Sequence, residues 1–522
     1  MRAELRDALD FLYTDSRLSD KPGKFPLVDT ALGGTGSVNI LAEGLTPGKP
    51  VRLSLLAGGR PVRGAAWFRL IDVPVEANTG GVGFIEKTDQ PNPFVARRAP
   101  FRVFDAMEPV AGAVTPETPL LALRLHVPAA KPGRRDFTIR LESGADRADL
   151  PFSLAVHPVR IPPTGPRSLP YTNWFNFDLM ATRHGLEPWS EGHWRMIRRY
   201  AELMAHARQN TFWLPLGNLF SADPTPVLNR PRLRRLVKLF TDAGLHFIEG
   251  GHLANRTGNE WNAKTFSIVI TNTPGTAPEG NAALANLASQ LMDEIDRNGW
   301  RDRWIQHVTD EPTEANAVDY RILVGMVRRH MPGLPILDAT MDPKLVGAVD
   351  IWCPQAQEYQ AHREAFEAQR ALGDRIWFYT CCFPGGPWLN RLMDMELLRP
   401  ALFGWGAAKY RLDGFLHWGL NHYKDDQDPF KQNVVSHGGV NFLPAGDTHI
   451  VYPGKGGPWS SVRLEAQREG FEDYELLRLL QAKNPKKADA LIAPVFQQFD
   501  RYTKDAGVLR AARRAVLKAL AR

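Results

Sequence analysis

Hydrophobic and polar positions alternate with a period of two over much of the first 165 residues. Segments with this pattern occur at 51–55, 66–70 and 121–127, and turn clusters rich in proline and glycine separate them at 46–50, 57–61 and 131–134. Short strands of period two between such turns are typical of a β-sandwich. We therefore predict a β-sandwich domain over residues 1–165, ending at the Pro/Gly-rich linker 160–166.

From residue 169 the pattern changes to strand-like segments that alternate with helical periodicity. Helical patterns occur at 194–208, 232–243, 282–296, 315–330 and 360–372, and the segment 266–270 is ambiguous. The predicted strands lie at 171–175, 211–216, 246–250, 265–271, 304–308, 335–339, 350–354, 376–380 and 414–418. About eight βα repeats in roughly 300 residues favour a TIM-type barrel over an open doubly wound sheet.

The expected fold class is thus α/β, with an N-terminal β-sandwich followed by a (β/α)8 TIM-type barrel over residues 166–482. Helical periodicity at 474–482 and 485–521 predicts a closing helix and a C-terminal helical extension over residues 483–522. No GxGxxG or P-loop signature indicates a nucleotide site.

Composition excludes several classes of partner. The formal charge of +7 is modest for a chain with 64 basic and 57 acidic residues. The densest basic run, 230–238, carries leucines at helical spacing, which indicates a solvated helix face and not a nucleic-acid patch. No apolar run approaches the roughly 18 residues of a membrane span. The segment 1–7 lacks the apolar stretch of a secretory leader, so the compartment is either cytoplasmic or reached after removal of a leader.

The cysteines argue against a disulfide framework and against structural zinc. Cys381 and Cys382 are adjacent, Cys353 is the third, and no CxxC pair occurs. We expect neither a metal nor another cofactor.

Two adjacent carboxylates, Asp310 and Glu311, follow the predicted strand at 304–308 and precede Pro312. Neighbouring side chains of a strand point to opposite faces, so the two acids converge on one ligand only where the chain leaves strand geometry. Pro312 favours such a departure. The alternative is that Asp310 or Thr313 only caps the following helix. We favour a catalytic pair.

Aromatic, amide and imidazole side chains dominate the other predicted strand ends. Aromatic rings stack on the apolar faces of sugars, and amides and carboxylates bond to the hydroxyl groups, so these positions predict a carbohydrate pocket. Each side chain also has a structural alternative, since a tryptophan can be core and an aspartate can cap a helix. The candidate substrate-binding residues are Asn173, Trp174, His252, Asp338, Trp352, Tyr379, Trp418 and Asn421.

Three segments resemble a known family. They are the Thr-Asp-Glu-Pro turn at 309–312, the segment Gly-Phe-Leu-His-Trp-Gly-Leu-Asn at 414–421 and the motif Ser-Val-Arg-Leu-Glu-Ala-Gln-Arg-Glu-Gly-Phe-Glu-Asp-Tyr-Glu at 461–475. Together they are similar to the DUF4091 family, whose characterised members form glycoside hydrolase family 123, the β-N-acetylgalactosaminidases. The late motif is the most specific of the three. Arg463 and Glu465 within it are expected to form a structural pair, with contact between Arg463 and the sugar as the alternative.

The resemblance implies a β-sandwich followed by a (β/α)8 barrel and a retaining, substrate-assisted mechanism. By this resemblance Asp310 would orient and polarise the 2-acetamido group, and Glu311 would be the general acid/base. The substrate's own acetamido oxygen then replaces an enzyme nucleophile. Glu311 must be protonated near neutral pH, which predicts a surrounding that raises its pKa, whereas Asp310 should be ionised or hydrogen-bonded to the amide.

The function expected from these features is release of a terminal β-linked N-acetylhexosamine, with N-acetylgalactosamine favoured, from a glycan or glycoconjugate. One alternative is a hydrolase for a sugar without an acetamido group, in which a distant carboxylate such as Asp338 is the nucleophile or base. Another is a non-catalytic carbohydrate-binding protein. Metal-dependent hydrolysis is disfavoured, because no HxxxH or other ligand cluster occurs in the sequence.

Overall fold

Eleven strands form the N-terminal part of the chain in the computed structural model, which describes residues 1–20, 27–340, 342–424 and 426–522. They are β1 (Arg2–Asp7), β2 (Leu27–Leu32), β3 (Thr35–Glu43), β4 (Val51–Ala57), β5 (Arg60–Pro61), β6 (Ala66–Val75), β7 (Phe101–Val110), β8 (Ala113–Val114), β9 (Leu120–Pro128), β10 (Gly133–Ser143) and β11 (Asp146–Arg160). The strands predicted at 51–55, 66–70 and 121–127 are all present.

Strands and helices alternate in the next part of the chain. The elements are β12 (Tyr171–Asn173), α1 (Phe177–Thr182), α2 (Glu191–His206), β13 (Thr211–Leu214), α3 (Arg230–Ala243), β14 (Phe247–Gly250), β15 (Ala254–Arg256), β16 (Phe266–Ile268), α4 (Pro278–Arg297), β17 (Trp304–Gln306), α5 (Ala317–His330), β18 (Leu337–Ala339), β19 (Ile351–Cys353), α6 (Ala356–Ala361), α7 (Arg363–Ala371), β20 (Arg375–Tyr379), α8 (Leu398–Ala401), α9 (Phe403–Tyr410) and β21 (Gly414–His417). Short 3-10 turns occur at Leu216–Asn218, Thr257–Asn259, Arg301–Arg303 and Glu314–Asn316.

The described residues from 426 to 522 contain short hairpins and three helices. These are β22 (Val435–His437), β23 (Asn441–Leu443), β24 (Tyr452–Gly454), β25 (Gly457–Ser461), α10 (Val462–Lys483), α11 (Pro485–Ile492), β26 (Phe496–Gln498), β27 (Arg501–Tyr502) and α12 (Ala506–Leu520). The helical extension predicted over 485–521 contains two helices, and the hairpin β26–β27, which was not predicted, separates α11 from α12. None of the described helices is long and apolar enough to cross a membrane.

The chain packs as two units. One contains residues Met1–Pro162, Cys382–Tyr410 and Asn421–Arg522, and the other contains Pro163–Cys381 and Arg411–Leu420. The predicted boundary at 165 lies close to Pro162, where the first segment of the first unit ends. The predicted boundary at 482 lies inside the segment Asn421–Arg522, which belongs entirely to the first unit. Residues 421–482 pack with the N-terminal strands because β25 pairs with β7 and extends their sheet.

Two sheets supply the core of the first unit. A seven-stranded antiparallel sheet has the order β1-β3-β9-β6-β7-β25-β24, and a six-stranded sheet has the order β2-β11-β10-β4-β5 with β8 beside β4. The period-two pattern of β9 explains its packing: Leu121, Leu123, Leu125 and Val127 all enter one apolar core, which side chains of both sheets share. The intervening Arg124 is also fully buried, on the other face.

Helix α10 begins where the late sequence motif begins. Ser461 caps it, since its side chain accepts a hydrogen bond from the amide of Leu464. Arg463 is 1% exposed and pairs with the fully buried Asp105 of β7 at 2.9 Å. Glu465 pairs instead with Arg468, so the expected Arg463–Glu465 pair is wrong. Arg463 therefore joins α10 to the seven-stranded sheet.

Eight parallel strands organise the second unit, in two sheets. One sheet has the order β12-β21-β20-β19-β18 and the other the order β13-β14-β17. A parallel bridge between Gln306 and Ile336 links them on one side. The segment predicted at 265–271 is not a ninth parallel strand, because β16 pairs antiparallel with β15 in a hairpin. The strands predicted at the other eight positions are present.

Local chemistry fixes the ends of these elements. Asn229 caps α3 by accepting from the amide of Arg232, and Gly244 ends the helix with φ of 109°, a conformation that glycine adopts without strain. At the carboxyl end of β14, a Cβ on Gly251 would lie 2.7 Å from the carbonyl oxygen of Leu214. Only glycine fits there, so the chain can pass close to β13 as it enters the loop that carries His252.

Replacement of Asp105 by Asn tests the role of the buried ion pair. The change leaves the Arg463 guanidinium buried without its anion, so we expect a loss of about 3–5 kcal/mol in the free energy of unfolding. Urea titration of the full chain measures it. Arg134→Ala, which breaks an exposed pair with Asp136, is the control and should cost under about 1 kcal/mol. Equal losses in the two variants would contradict the prediction.

Candidate active site

The chain leaves strand geometry immediately after β17. Glu311 has φ of +44°, the left-handed conformation that a residue with a side chain rarely adopts. Such a conformation costs about 1–3 kcal/mol and is found where surrounding contacts impose it, often at active sites. The condition we set for convergence of Asp310 and Glu311 is therefore met. Thr313, and not Asp310, makes the capping box with Asn316.

Glu311 is half-buried and hydrogen-bonded at both its side chain and its backbone. The Tyr379 hydroxyl donates to its Oε1 atom, and the Arg256 guanidinium donates to its carbonyl oxygen. Burial raises the pKa of Glu311 to about 7, with a further increase from the charge of Asp310, while Tyr379 and Arg256 act in the opposite direction. A carboxyl group with this pKa can carry a proton near neutral pH.

Asp310 lies in a different electrostatic environment. The pKa of Asp310 is raised above its usual value, because burial and the charge of Asp338 outweigh the opposing positive charges of Arg256 and His307. We had expected an ionised Asp310, and these two cations are the groups that favour that form. Arg256 comes from the β15–β16 hairpin, where its guanidinium lies 4.3 Å above the ring of Trp261. Nothing in the local sequence singled it out.

Aromatic rings form a wall around His252. Trp174 and Trp213 are stacked, with centroids 4.6 Å apart and planes at 22°. The His252 ring lies edge-on to both, at 5.3 and 5.0 Å, and its Nε2 atom is buried without a hydrogen-bond partner among the described residues. A pocket of about 410 Å³ opens here, lined by Trp213, Pro215, Leu216, Gly217, Phe220, Ala222, His252, Asn255, Val269 and Ile270. Trp213 was missed, since it lies inside a predicted strand and not at its end.

Beneath the acid pair, three neighbouring strands contribute a fully buried chain of ionisable groups. His307 Nε2 lies 2.7 Å from Glu249 Oε1, and His307 Nδ1 lies 3.0 Å from Asp338 Oδ1. The two carboxylates outweigh burial and raise the pKa of His307 to about 9. Trp174 also donates to Glu249, at 2.8 Å. Glu249 and His307 escaped prediction because both read as interior positions of apolar strands.

Two predicted contacts with substrate are corrected by this geometry. Asp338 is fully buried and receives hydrogen bonds from His307, from the amide of Val308 and from the Tyr320 hydroxyl. Its acceptor atoms are occupied, so it is available neither to a sugar nor as a distant nucleophile. Trp352 is also fully buried, because its position in β19 directs it at Phe366 of α7, with ring centroids 5.7 Å apart.

The remaining predicted residues divide by position. Asn173 is fully buried and donates to the Tyr171 hydroxyl at 2.6 Å, so it belongs to the interior of the unit. Trp418 is half-buried directly after β21 and stays a candidate for sugar contact. Asn421 is buried, bridges to His449 and packs in the first unit. Tyr379, Trp174 and His252 are the predicted residues that lie with the acids or their supporting groups, and Asp338 is itself one of those supporting groups.

His252, His307 and Asp338 also have the spacing of a metal site, since one ligand atom from each lies within 4.8 Å of the others. Both nitrogens of His307 are already bonded to carboxylates, however. Because its pKa is raised to about 9, the ring is protonated at neutral pH, and it would have to lose a proton to bind a metal. The donor set fits a hydrogen-bonded chain better than a metal.

Comparison with known proteins identifies the class. Residues 253–480 match a family model for the catalytic domain of a glycoside hydrolase, so this segment carries a glycoside hydrolase catalytic domain. The family that the model describes is glycoside hydrolase 123, which confirms the resemblance found in the sequence. A search of curated proteins finds no match.

Solved structures support the fold. A family 123 glycoside hydrolase from Clostridium perfringens, studied for glycolipid glycan hydrolysis, superposes with a TM-score of 0.71 at 13% identity, covering 99% of this chain and 96% of that chain. The xylanase 10B of Clostridium thermocellum gives 0.35 at 9% identity, covering 83% and 88% of the two chains. A β-galactosidase from Marinomonas ef1 gives 0.37 at 11% identity, covering 63% and 62%. Only the first superposition is close enough to indicate a shared fold.

Replacement of Tyr379 by Phe tests the environment of Glu311. The hydroxyl stabilises the carboxylate, so its removal should raise the pKa of Glu311 further above about 7. The alkaline limb of kcat/KM for glycoside hydrolysis should then move to higher pH. Tyr359→Phe is the matched control, because it removes a phenol bond to Glu367 at 2.7 Å and should leave the limb in place. If the alkaline limb stays in place or moves to lower pH in Tyr379→Phe, Glu311 is not the group whose loss of a proton produces that limb.

Proposed function

We propose that this protein is a retaining exo-glycosidase that releases a terminal β-linked N-acetylhexosamine, with N-acetylgalactosamine favoured, by substrate-assisted catalysis. The observation that carries the proposal is the acid turn: Glu311 is held in a left-handed conformation directly beside Asp310, and its pKa is raised to about 7. The family match over residues 253–480 supports the same chemistry. Glycans on lipids are natural first substrates, given the reaction studied in the Clostridium perfringens enzyme.

In this proposal Glu311 is the general acid/base. Its protonated carboxyl gives a proton to the glycosidic oxygen as the bond to C1 breaks, and the resulting carboxylate later takes a proton from the water that attacks C1. The hydroxyl of Tyr379 holds the carboxyl group in place and becomes a better partner when the group is ionised. The acid form is lost as pH rises through about 7, so activity should fall there.

Asp310 acts on the acetamido group. Its carboxylate accepts the amide N–H, and the acetamido oxygen then attacks C1 and forms a cyclic oxazolinium, whose positive charge the carboxylate stabilises. Arg256 and His307 favour the ionised form that this role requires. No second enzyme carboxylate across the sugar ring is needed, and Asp338, which we considered for that role, is occupied by three donors.

For the fold, we propose that the eight parallel strands act as one (β/α)8 barrel, preceded by a β-sandwich and followed by a helical extension. The bridge from Gln306 to Ile336 supports closure on one side. On the other side, the amide of Asn210 donates to the carbonyl of Tyr171, between β12 and β13, at 3.3 Å. Asp310, Glu311 and Tyr379 then belong to the carboxyl ends of barrel strands, the usual position of catalytic groups.

Substitution of each acid separates their roles. Glu311→Gln should reduce kcat/KM by about 10²–10⁴-fold on a β-N-acetylgalactosaminide with a poor leaving group, and by less on a nitrophenyl glycoside, which needs little protonation. Asp310→Asn should reduce both rates alike. Glu314→Gln is the matched control, since Glu314 is exposed three residues further on. Full activity of Glu311→Gln on both substrates would exclude it as the acid.

Comparison of matched substrates tests the acetamido step. We expect turnover of aryl β-N-acetylgalactosaminide, less of the β-N-acetylglucosaminide and none of the β-galactoside, which lacks the internal nucleophile. An N-acetylhexosamine thiazoline should inhibit competitively, because it imitates the oxazoline. Comparable rates on the galactoside would indicate a mechanism without acetamido participation. Sugar binding without turnover of any glycoside would indicate a binding protein.

A further inference from the structure

The three residues beneath the acid turn, Glu249, His307 and Asp338, transfer no proton and bind no sugar in the reaction proposed above. Their side chains are fully buried, and the two carboxylates lie on either side of one imidazole, at 2.7 and 3.0 Å. Groups of this kind are expensive to bury and persist where their hydrogen bonds are complete. Asp338 has three donors, and Glu249 Oε1 has two, from His307 and Trp174, whereas Glu249 Oε2 is buried without a partner among the described residues.

The bonds of Asp338 connect this cluster to the catalytic turn. Its Oδ1 atom accepts from the His307 ring and, at 3.1 Å, from the amide of Val308. These are the first two residues after β17, and the acids follow two and three positions later. One carboxylate therefore fixes both the backbone and the side chain at the point where the chain leaves the strand. The left-handed conformation of Glu311 is unfavourable and needs support from surrounding contacts. The bonds of Asp338 to His307 and Val308 give such support a few residues before Glu311.

The charge of the cluster is set by its neighbours. Burial and the nearby charges of His307 and Arg256 hold the pKa of His252 well below its usual value, so that ring is neutral. Burial also raises the pKa of the Tyr320 phenol and of the Cys353 thiol, which stay uncharged. His307 is then the cation of the cluster, 5.1 Å from the His252 ring, and its charge lowers the pKa of Asp310.

We propose that Glu249, His307 and Asp338 form a positioning triad, which anchors the turn carrying Asp310 and Glu311 and supplies a fixed positive charge behind Asp310. This inference rests on the proposed function of the two acids. The three residues act through the turn and do not touch the substrate. Glu249 and Asp338 hold the imidazolium in orientation and charge, and the imidazolium in turn favours an ionised Asp310 beside a protonated Glu311.

The test compares His307→Gln and Glu249→Gln with wild type in the full-length protein. We expect kcat to fall about 10²-fold in His307→Gln with little change in KM, because a displaced turn disturbs the transition state more than ground-state binding. Loss of the cation raises the pKa of Asp310, so the acidic limb of kcat/KM should move to higher pH. Glu249→Gln keeps the acceptor for Trp174 and should shift the limb the same way by less.

Glu294→Gln is the control, because it removes another buried carboxylate of the same unit, one paired with Arg230 and Arg234. It should lower stability without moving either limb of the pH profile. Nitrogen-15 NMR of the His307 ring in wild type gives a readout independent of activity. Both ring nitrogens should carry protons at pH 7 and titrate near pH 9. A neutral ring at pH 7, or an unmoved acidic limb in folded His307→Gln, would overturn the proposal.

Two measurements keep the test decisive when a variant or the reaction fails. If His307→Gln does not fold, Glu249→Gln and the wild-type ring titration decide the proposal. If wild type hydrolyses none of the glycosides, the proposed function fails separately. Carbon-13 titration of the Asp310 carboxyl then decides the inference: a higher pKa in Glu249→Gln than in wild type supports the triad, and an equal pKa overturns it.

Discussion

Removal of water from ionisable groups is the constraint on which the second unit depends. Burial raises the pKa of Asp310, Glu311 and Asp338, since each would be a carboxylate in a medium that solvates charge poorly. One imidazolium, His307, contacts Asp338 and the buried carboxylate of Glu249 directly. The surroundings of the two acids of the turn differ: Arg256 and His307 act on Asp310, whereas Arg256, the Tyr379 phenol and the negative charge of Asp310 act on Glu311. Burial raises the pKa of both residues, and their other neighbours shift the two carboxyl groups by different amounts.

The first unit also buries ionisable groups, but there oppositely charged side chains pair with one another. The face of α10 that packs inward is charged, and arginines from α12 and a strand complete its ion pairs. Arg463 and Asp105 tie the helix to the seven-stranded sheet through a buried pair. Such a core is less tolerant of single substitutions than an apolar one, because removal of either partner leaves an uncompensated charge.

Much of the architecture follows from hydrophobic periodicity. The strands of period two at 51–55 and 121–127, the alternation of strands and helices after residue 169 and the acid turn at Pro312 were all predicted and are present. Periodicity did not identify the hairpin β15–β16, which places Arg256, or the hairpin β26–β27, because short antiparallel pairs depend on tertiary packing.

The site was harder to predict than the fold, for a geometric reason. A strand end has two faces, and the sequence does not state which face a residue occupies. Trp352 and Asp338 were selected by their position near strand ends, yet one points to a helix and the other to the interior. His307 and Glu249 lie on the same kind of strand but gave no signal, since a buried ionisable residue is recognisable only by the partner that a distant segment supplies.

The burial of the first half of α10 has a consequence for how such proteins are recognised. Residues 462–473 are all buried, so the most specific motif in the sequence serves the packing of the first unit. The two acids lie in the second unit. Selection for folding and selection for chemistry therefore act on separate parts of the chain. A descendant that lost Asp310 or Glu311 would still carry the motif and match it, much as an inactive pseudoenzyme retains the outline of its ancestor. Similarity at α10 therefore indicates common ancestry, whereas the presence of Asp310 and Glu311 before Pro312 is the feature that bears on activity.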